Sequence, residues 1–353
     1  MDSKIKKLSR LISINLLFFF ISVVIIELFF GYWFDEYNFG PYMREHRLKK
    51  IPYQVTYDKI NYNYDYLRNS LAFRGAEIDP NNIKIIMVGG STTDERYKPE
   101  ELSIVGNLNN KFKEKEISKK IINAGIEGQS TRGHIANFRF WFKRIENFKP
   151  EYIIFYIGIN DAIFLLAPHS DLQDGFIKNP NKLESFLDNL KSRSIFSDLF
   201  RKIKFKYYKK TEEKRIIYDH DYAMNKNIKN NISYLSYHEK SKKFDLDKLT
   251  ESKKNIVNKY LKNVDILFDL TNSINAQPIF INQPALRHEN AETLFLLNYS
   301  LIAHCEKKKY KCIDLAKNLK ALDNFWWDRI HTTPIGSQAI ANHIFPKLLK
   351  FLK

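Results

Sequence analysis

The chain has 353 residues, 44% of them hydrophobic, with 57 Lys and Arg against 40 Asp and Glu and a formal net charge of +17. That length can bury a substantial core in one large domain or two small ones, and the composition argues against a disordered chain or a multi-span membrane protein. Only Cys305 and Cys312 are cysteines, which excludes a disulfide framework and a four-thiolate zinc site, so neither a metal nor another cofactor is implied.

The positive charge invites an anionic neighbour. The lysines, however, are scattered among asparagines and isoleucines along the whole chain, which is the pattern of a compositional bias rather than a binding patch. No nucleic-acid motif is visible, and nucleic acid is not expected as a partner.

Residues 1–10 carry Lys4, Lys6, Lys7 and Arg10, and Leu11 to Phe30 follows as LISINLLFFFISVVIIELFF. Twenty residues, apolar except for small polar members and Glu27 near the end, cross a hydrocarbon layer of about 30 Å at 1.5 Å each, so this stretch is expected to be a transmembrane anchor. The basic residues ahead of it and Asp35 and Glu36 after it place the amino terminus in the cytoplasm and the rest in the periplasm. A cleavable signal would have a shorter apolar core followed by small residues, whereas Gly-Tyr-Trp-Phe follows here. Glu27 either pairs with a partner helix or snorkels to the surface.

Residues 31–82 read as a stalk and collar, with a hairpin expected within Val55 to Tyr66. From residue 83 to 353, five short apolar runs read as buried parallel strands: Lys84 to Val88, Lys120 to Ala124, Tyr152 to Ile157, Pro278 to Asn282 and Lys311 to Leu315. Helix-period stretches separate them: Glu100 to Glu116, Thr131 to Phe148, Leu246 to Ser273, Ala291 to Lys308 and Gly336 to Leu352. The alternation predicts an α/β fold, a three-layer α/β/α sandwich on a five-stranded parallel, flavodoxin-like sheet, preceded by one transmembrane helix. Residues 165–245 break the alternation as an insertion. Within it, Phe196 to Lys210 is a basic amphipathic helix that either touches acidic lipid, lids the site, or packs as a solvated helix. The two cysteines form a bridge if the domain is extracytoplasmic, or remain separate thiols; both readings stand.

Four motifs fall at the places where such sheets build sites, just past the strands' carboxyl ends or near the chain's end. They are GGSTT (Gly89 to Thr93), NAGIEGQS (Asn123 to Ser130), GIND (Gly158 to Asp161) and DRIH (Asp328 to His331). A serine needs a base to take its proton, and a histidine needs a carboxylate to hold its tautomer and offset its charge. Ser91, His331 and Asp328 supply that set. An oxyanion needs donors, which the N–H groups of Ser91 and Gly128 and the side-chain amide of Asn160 can give. Ser130 is a weaker nucleophile candidate. An α/β-hydrolase would share the order Ser, Asp, His but would show G-x-S-x-G and a wide gap between Asp and His.

These motifs resemble those of the SGNH (GDSL-type) hydrolases, over roughly Lys84 to the chain end. The resemblance implies Ser91 as nucleophile, Asp328 and His331 as its triad partners, and Ser91, Gly128 and Asn160 as the oxyanion hole. Gly90 stands where the family usually has aspartate, a departure that leaves the triad intact. FRG (Phe73 to Gly75) also resembles membrane-anchored members, with Arg74 expected in a structural ion pair or at the active-site loops. The implied partners are the membrane and an acylated glycan or small ester. The implied activity is removal of O-acetyl or short acyl groups from an envelope glycan. Acyl transfer onto a polysaccharide and a non-catalytic glycan-binding scaffold are the alternatives, and no oligomeric state is read.

Overall fold

The computed structural model describes residues 2–57, 60–164, 181–209, 241–242, 244–285, 291–319 and 323–352. Much of the expected insertion, at 165–180, 210–240 and 243, lies outside the described residues. In chain order the principal elements begin with helices α1 (Asp2–Phe30) and α2 (Gly40–Arg44) and strands β1 (Lys49–Tyr57), β2 (Ile60–Arg68) and β3 (Ile85–Gly89). Next come α3 (Ser91–Asp94), α4 (Ile104–Glu114), β4 (Ile121–Gly125), α5 (Thr131–Phe140), β5 (Tyr152–Ile157) and α6 (Ile159–Phe164). Then follow α7 (Lys182–Arg193), α8 (Ile195–Lys209), α9 (Glu251–Asn272), β6 (Gln277–Asn282), α10 (Ala291–Lys308), β7 (Lys311–Ile313), α11 (Leu315–Asn318) and α12 (Pro334–Phe351). The contacts group these into two units, Met1–Glu45 with Asn179–Ile217, and His46–Lys178 with Tyr218–Lys353.

In the first unit, Ile5–Phe30 of α1 is long and apolar enough to cross a membrane, with a hydropathy of 2.5. Of residues 5–30 only Val23 and Glu27, one turn apart, are partly covered. Glu27 reaches the start of another helix of this chain, α8. Its carboxylate accepts from Ser194 Oγ (2.6 Å), Ile195 N (3.1 Å), Phe196 N (3.3 Å) and Trp33 Nε1 (3.0 Å), so it caps the orphan N–H groups that open α8. Arg193 closes the junction by donating to Trp33 O at 2.7 Å.

In the second unit the sheet runs β4-β3-β5-β6-β7, all parallel, which is the flavodoxin-like order expected. Every residue of β3, β4 and β5 is buried, as strands covered on both faces must be. Ile85, Met87, Ile154 and Ile279 pack on one face against α4 and α12 through Leu108, Phe112, Ile340 and Ile344. On the other face Phe280 meets Tyr310, which stacks on Phe268 of α9 at 3.8 Å between centroids. Two expected helices are shorter than their periodicity suggested. Thr131 to Phe148 stops at Phe140 before a 3-10 turn, and Glu100 to Glu116 opens with a 3-10 turn, so Ser103 caps α4. Cys305 and Cys312 are disulfide-bonded, which ties α10 to the edge strand β7.

The hairpin β1–β2 is longer than Val55 to Tyr66, pairing Lys49 with Arg68 and Tyr57 with Ile60. Its tyrosines reach the chain just beyond β3. Tyr57 donates to Tyr97 O at 2.5 Å, Tyr64 to Arg96 O at 2.8 Å and Tyr66 to the Asp94 carboxylate at 2.8 Å.

Candidate active site

Ser91 opens the single turn α3, after β3 ends at Gly89 and Gly90 caps the turn. His331 and Asp328 lie in a tight turn before α12, where Trp327 N donates to His331 O and Trp326 bridges Thr332. The D-x-x-H spacing has a local cause: one oxygen of Asp328 accepts from Ile330 N (2.8 Å) and His331 N (2.7 Å), an Asx-type turn. The other oxygen faces His331 Nδ1 at 2.6 Å, and His331 Nε2 faces Ser91 Oγ at 2.8 Å. The three side chains thus form an unbroken relay across 240 residues of sequence.

Such a relay can move a proton. With Nδ1–H donated to Asp328, Nε2 presents its lone pair to the serine hydroxyl. Burial pushes the Asp328 carboxyl up, but hydrogen bonds from the His331 side chain and the two backbone N–H groups outweigh it and hold the acid below its ordinary value. It therefore stays anionic at neutral pH, as an imidazolium partner requires.

The oxyanion candidates lie on the neighbouring strand ends. Asn160, in the first turn of α6, donates one amide hydrogen to Gln129 O at 2.7 Å and has a second to offer. It also lies against Gly90: a side chain at position 90 would collide with the Asn160 amide, which gives glycine a physical reason there. Gly128 has φ +74°, in the left-handed region, and no atom stands within 4 Å of where its Cβ would be. Glycine at 128 answers to backbone conformation rather than crowding, and the space in front of it is open.

Asp161 is engaged with α5 rather than with the relay. Its buried carboxylate accepts from Thr131 Oγ1 (2.5 Å) and Thr131 N (3.1 Å), fastening α6 to α5. Burial raises it to about 6, against the pull of those bonds. Gln283, just past β6, completes this flank: its Oε1 accepts from Ile159 N at 2.8 Å and its Nε2 donates to Thr92 at 2.7 Å.

On the other flank is a charged cluster that sequence reasoning missed. Glu95 leaves α3 with φ 47°, an uncommon conformation for a non-glycine residue, and its carboxylate is buried. It accepts from Lys98 Nζ (2.7 Å), Thr332 Oγ1 (2.8 Å), Ser337 Oγ (2.6 Å) and Ile104 N (2.5 Å). Lys98 also donates to Thr332 O and to Ser337 Oγ, and burial lowers its pKa despite the adjacent Glu95. The pair therefore stitches the segment after the serine to the residue following the histidine. One step further out, Arg68 pairs with Asp94 at 3.0 Å with both side chains buried. Of the two expectations for Arg74, the loop contact is the one seen: it donates to Asp94 O and Lys98 O, in the segment after the serine, rather than to a carboxylate.

A small cleft opens at the serine, lined by Ser91, Arg96, Tyr97, Glu127, Trp327 and His331. Arg96 and Glu127 form an ion pair in this lining. Trp327 stacks on Tyr57 at 5.2 Å and presents an edge-to-face contact to His331. Among the described residues no group of His, Cys, Asp and Glu could hold a metal ion.

No protein-family model and no curated protein matches the chain. Among solved structures, a member of the lipolytic G-D-S-L family from Veillonella parvula is similar at 12% identity, over 75% of this chain and 97% of the other, with a TM-score of 0.42. A psychrotrophic esterase from Pseudoalteromonas is similar at 12% identity, over 76% and 98%, with a TM-score of 0.43. A catalytic mutant of an acetylxylan esterase from Geobacillus stearothermophilus is similar at 13% identity, over 75% and 94%, with a TM-score of 0.42. Similarities this distant decide nothing about activity.

Proposed function

We propose that this chain is a serine esterase of the SGNH type, held to a membrane by α1, that removes O-acetyl or other short acyl groups from an envelope glycan. The carrying observation is the relay from Asp328 through His331 to Ser91, with hydrogen bonds of 2.6 and 2.8 Å. Ser91 Oγ attacks the acyl carbonyl as His331 Nε2 takes its proton, and the histidine returns that proton to the departing sugar oxygen. The Ser91 and Gly128 N–H groups and the free hydrogen of the Asn160 amide receive the oxyanion. Water then repeats the sequence on the acyl-serine.

Two observations support the sugar and the compartment. Trp327 and Tyr97 put aromatic side chains in the lining of the cleft, the residue type on which pyranose rings pack. The bridge between Cys305 and Cys312, like the basic residues ahead of α1, favours an oxidising, extracytoplasmic setting. A fluorophosphonate probe should label the wild type and leave Ser91→Ala unlabelled; equal labelling of the two would overturn the reading. Acetate release from acetylated xylan or amino sugar, measured with and without unacetylated glycan, then separates hydrolysis from acyl transfer.

A further inference from the structure

Among the described residues outside the site, the helix pair α7–α8 is the feature most in need of a partner. In α7 the apolar residues Leu183, Phe186, Leu187 and Leu190 recur at i, i+3, i+4 and i+7, the spacing of a buried stripe. Yet Phe186 is 57% exposed, and Leu183 and Leu187 are exposed beside it. In α8, Leu199, Phe200 and Ile203 form a second such stripe, with Phe200 71% exposed. Soluble surfaces seldom leave adjacent stripes of this kind uncovered.

The place where α8 begins identifies the cover. Its first N–H groups and Ser194 Oγ bond to Glu27, three residues before the end of the apolar stretch Ile5–Phe30. At 1.5 Å per residue the first turn of α8 is held within about 5 Å of that boundary, inside the few-ångström headgroup zone on each side of the hydrocarbon. Ile203 is eight residues beyond Ile195, about 12 Å along the helix axis. Lys182 and Lys191 are exposed at the two ends of α7, where anionic headgroups would meet them.

We infer that α7 and α8 form a helical pair lying in the membrane interface beside the end of α1, with both apolar stripes facing lipid. The inference rests on the reading of α1 as a membrane span. It gives the chain two attachments, one through the bilayer and one along its surface, with Glu27 as the joint.

The test uses the full chain in vesicles of phosphatidylcholine and phosphatidylglycerol, nitroxide-labelled singly at Phe186→Cys, Phe200→Cys, Ser185→Cys and Phe18→Cys. The native cysteines are bridged and do not take the label. Oxygen should collide with the labels at 186 and 200 severalfold more often than a water-soluble nickel chelate does, with the reverse at 185 on the opposite side of α7. If 18 reads lipid while 186 and 200 read water, the interfacial helices are refuted and the span stands. Labels at 186 and 200 shielded from both reagents would mean a protein cover, which also refutes the inference. A label at 18 that reads water would refute the span itself. Ile203→Cys repeats the reading on α8 should either phenylalanine prove indispensable to folding.

Discussion

The two flanks of the candidate site are held by different chemistry. On the oxyanion side, Asn160, Gln129, Gln283 and Thr131 form a web of mostly neutral amide and hydroxyl bonds around the ends of β5 and β6. On the side of the base, Glu95 and Lys98 form a buried ion pair that accepts and donates to both Thr332 and Ser337. The difference follows from what each flank must hold. Asn160 is three residues past a strand hydrogen-bonded on both sides, so the sheet has already placed it. His331 is eighteen residues beyond the last residue of β7, held locally by Asp328 and Trp327 and tied to the segment after the serine by the bonds of Glu95 and Lys98 to Thr332. Charge-assisted bonds are the stronger kind, and they occur where a few contacts hold a distant segment.

The largest effect sharpens the comparison by isolating the base from its supports. His331→Ala should reduce turnover by on the order of a millionfold with folding unchanged, measured as single-turnover acyl-serine formation. Next comes the ionic flank. Lys98→Met leaves Glu95 buried without its cation and should cost about 3–5 kcal/mol of unfolding free energy in urea, while Glu95→Gln with Lys98→Met should recover part of the loss. A loss no larger for Lys98→Met than for Asn160→Ala would erase the distinction between the flanks. Asn160→Ala should instead act on rate, lowering kcat about 10²- to 10³-fold, or about 2.7–4 kcal/mol, with a smaller change in KM.

The smallest effect probes the one acid in the amide flank. Asp161 is raised to about 6 from 3.8, so the folded state holds its proton more tightly than the unfolded chain does. Its contribution to stability is therefore greatest below the unfolded value and is lost as pH rises through about 6. Asp161→Asn, permanently neutral, should gain on the wild type across that window by on the order of 2–3 kcal/mol. Parallel unfolding curves for the two proteins between pH 4 and 7 would contradict that.

The legibility of the two flanks differed in the same way. β3, β4 and β5 were readable because strands buried on both faces must be continuous apolar runs, and the motifs at their ends followed from the fold's rule for site placement. DRIH was readable because the turn that joins its two ends is local. Glu95 and Lys98 were not, since nothing distinguishes them from the other charged residues in a chain with 57 Lys and Arg until position 332 is brought beside them. Arg68 and Arg74 divided between them the roles the sequence suggested for Arg74 alone. The hairpin's alternation was visible, but the carbonyls its tyrosines would meet were not.

The bond set at Glu27 also governs how a version of this chain without its span should be cut. Trimming through Phe30, the natural choice from hydropathy, discards the acceptor for Ser194, Ile195, Phe196 and Trp33 together and uncaps α8. A truncation at Ile26 keeps four more residues, Glu27 to Phe30, and preserves the whole junction for the addition of only three apolar side chains.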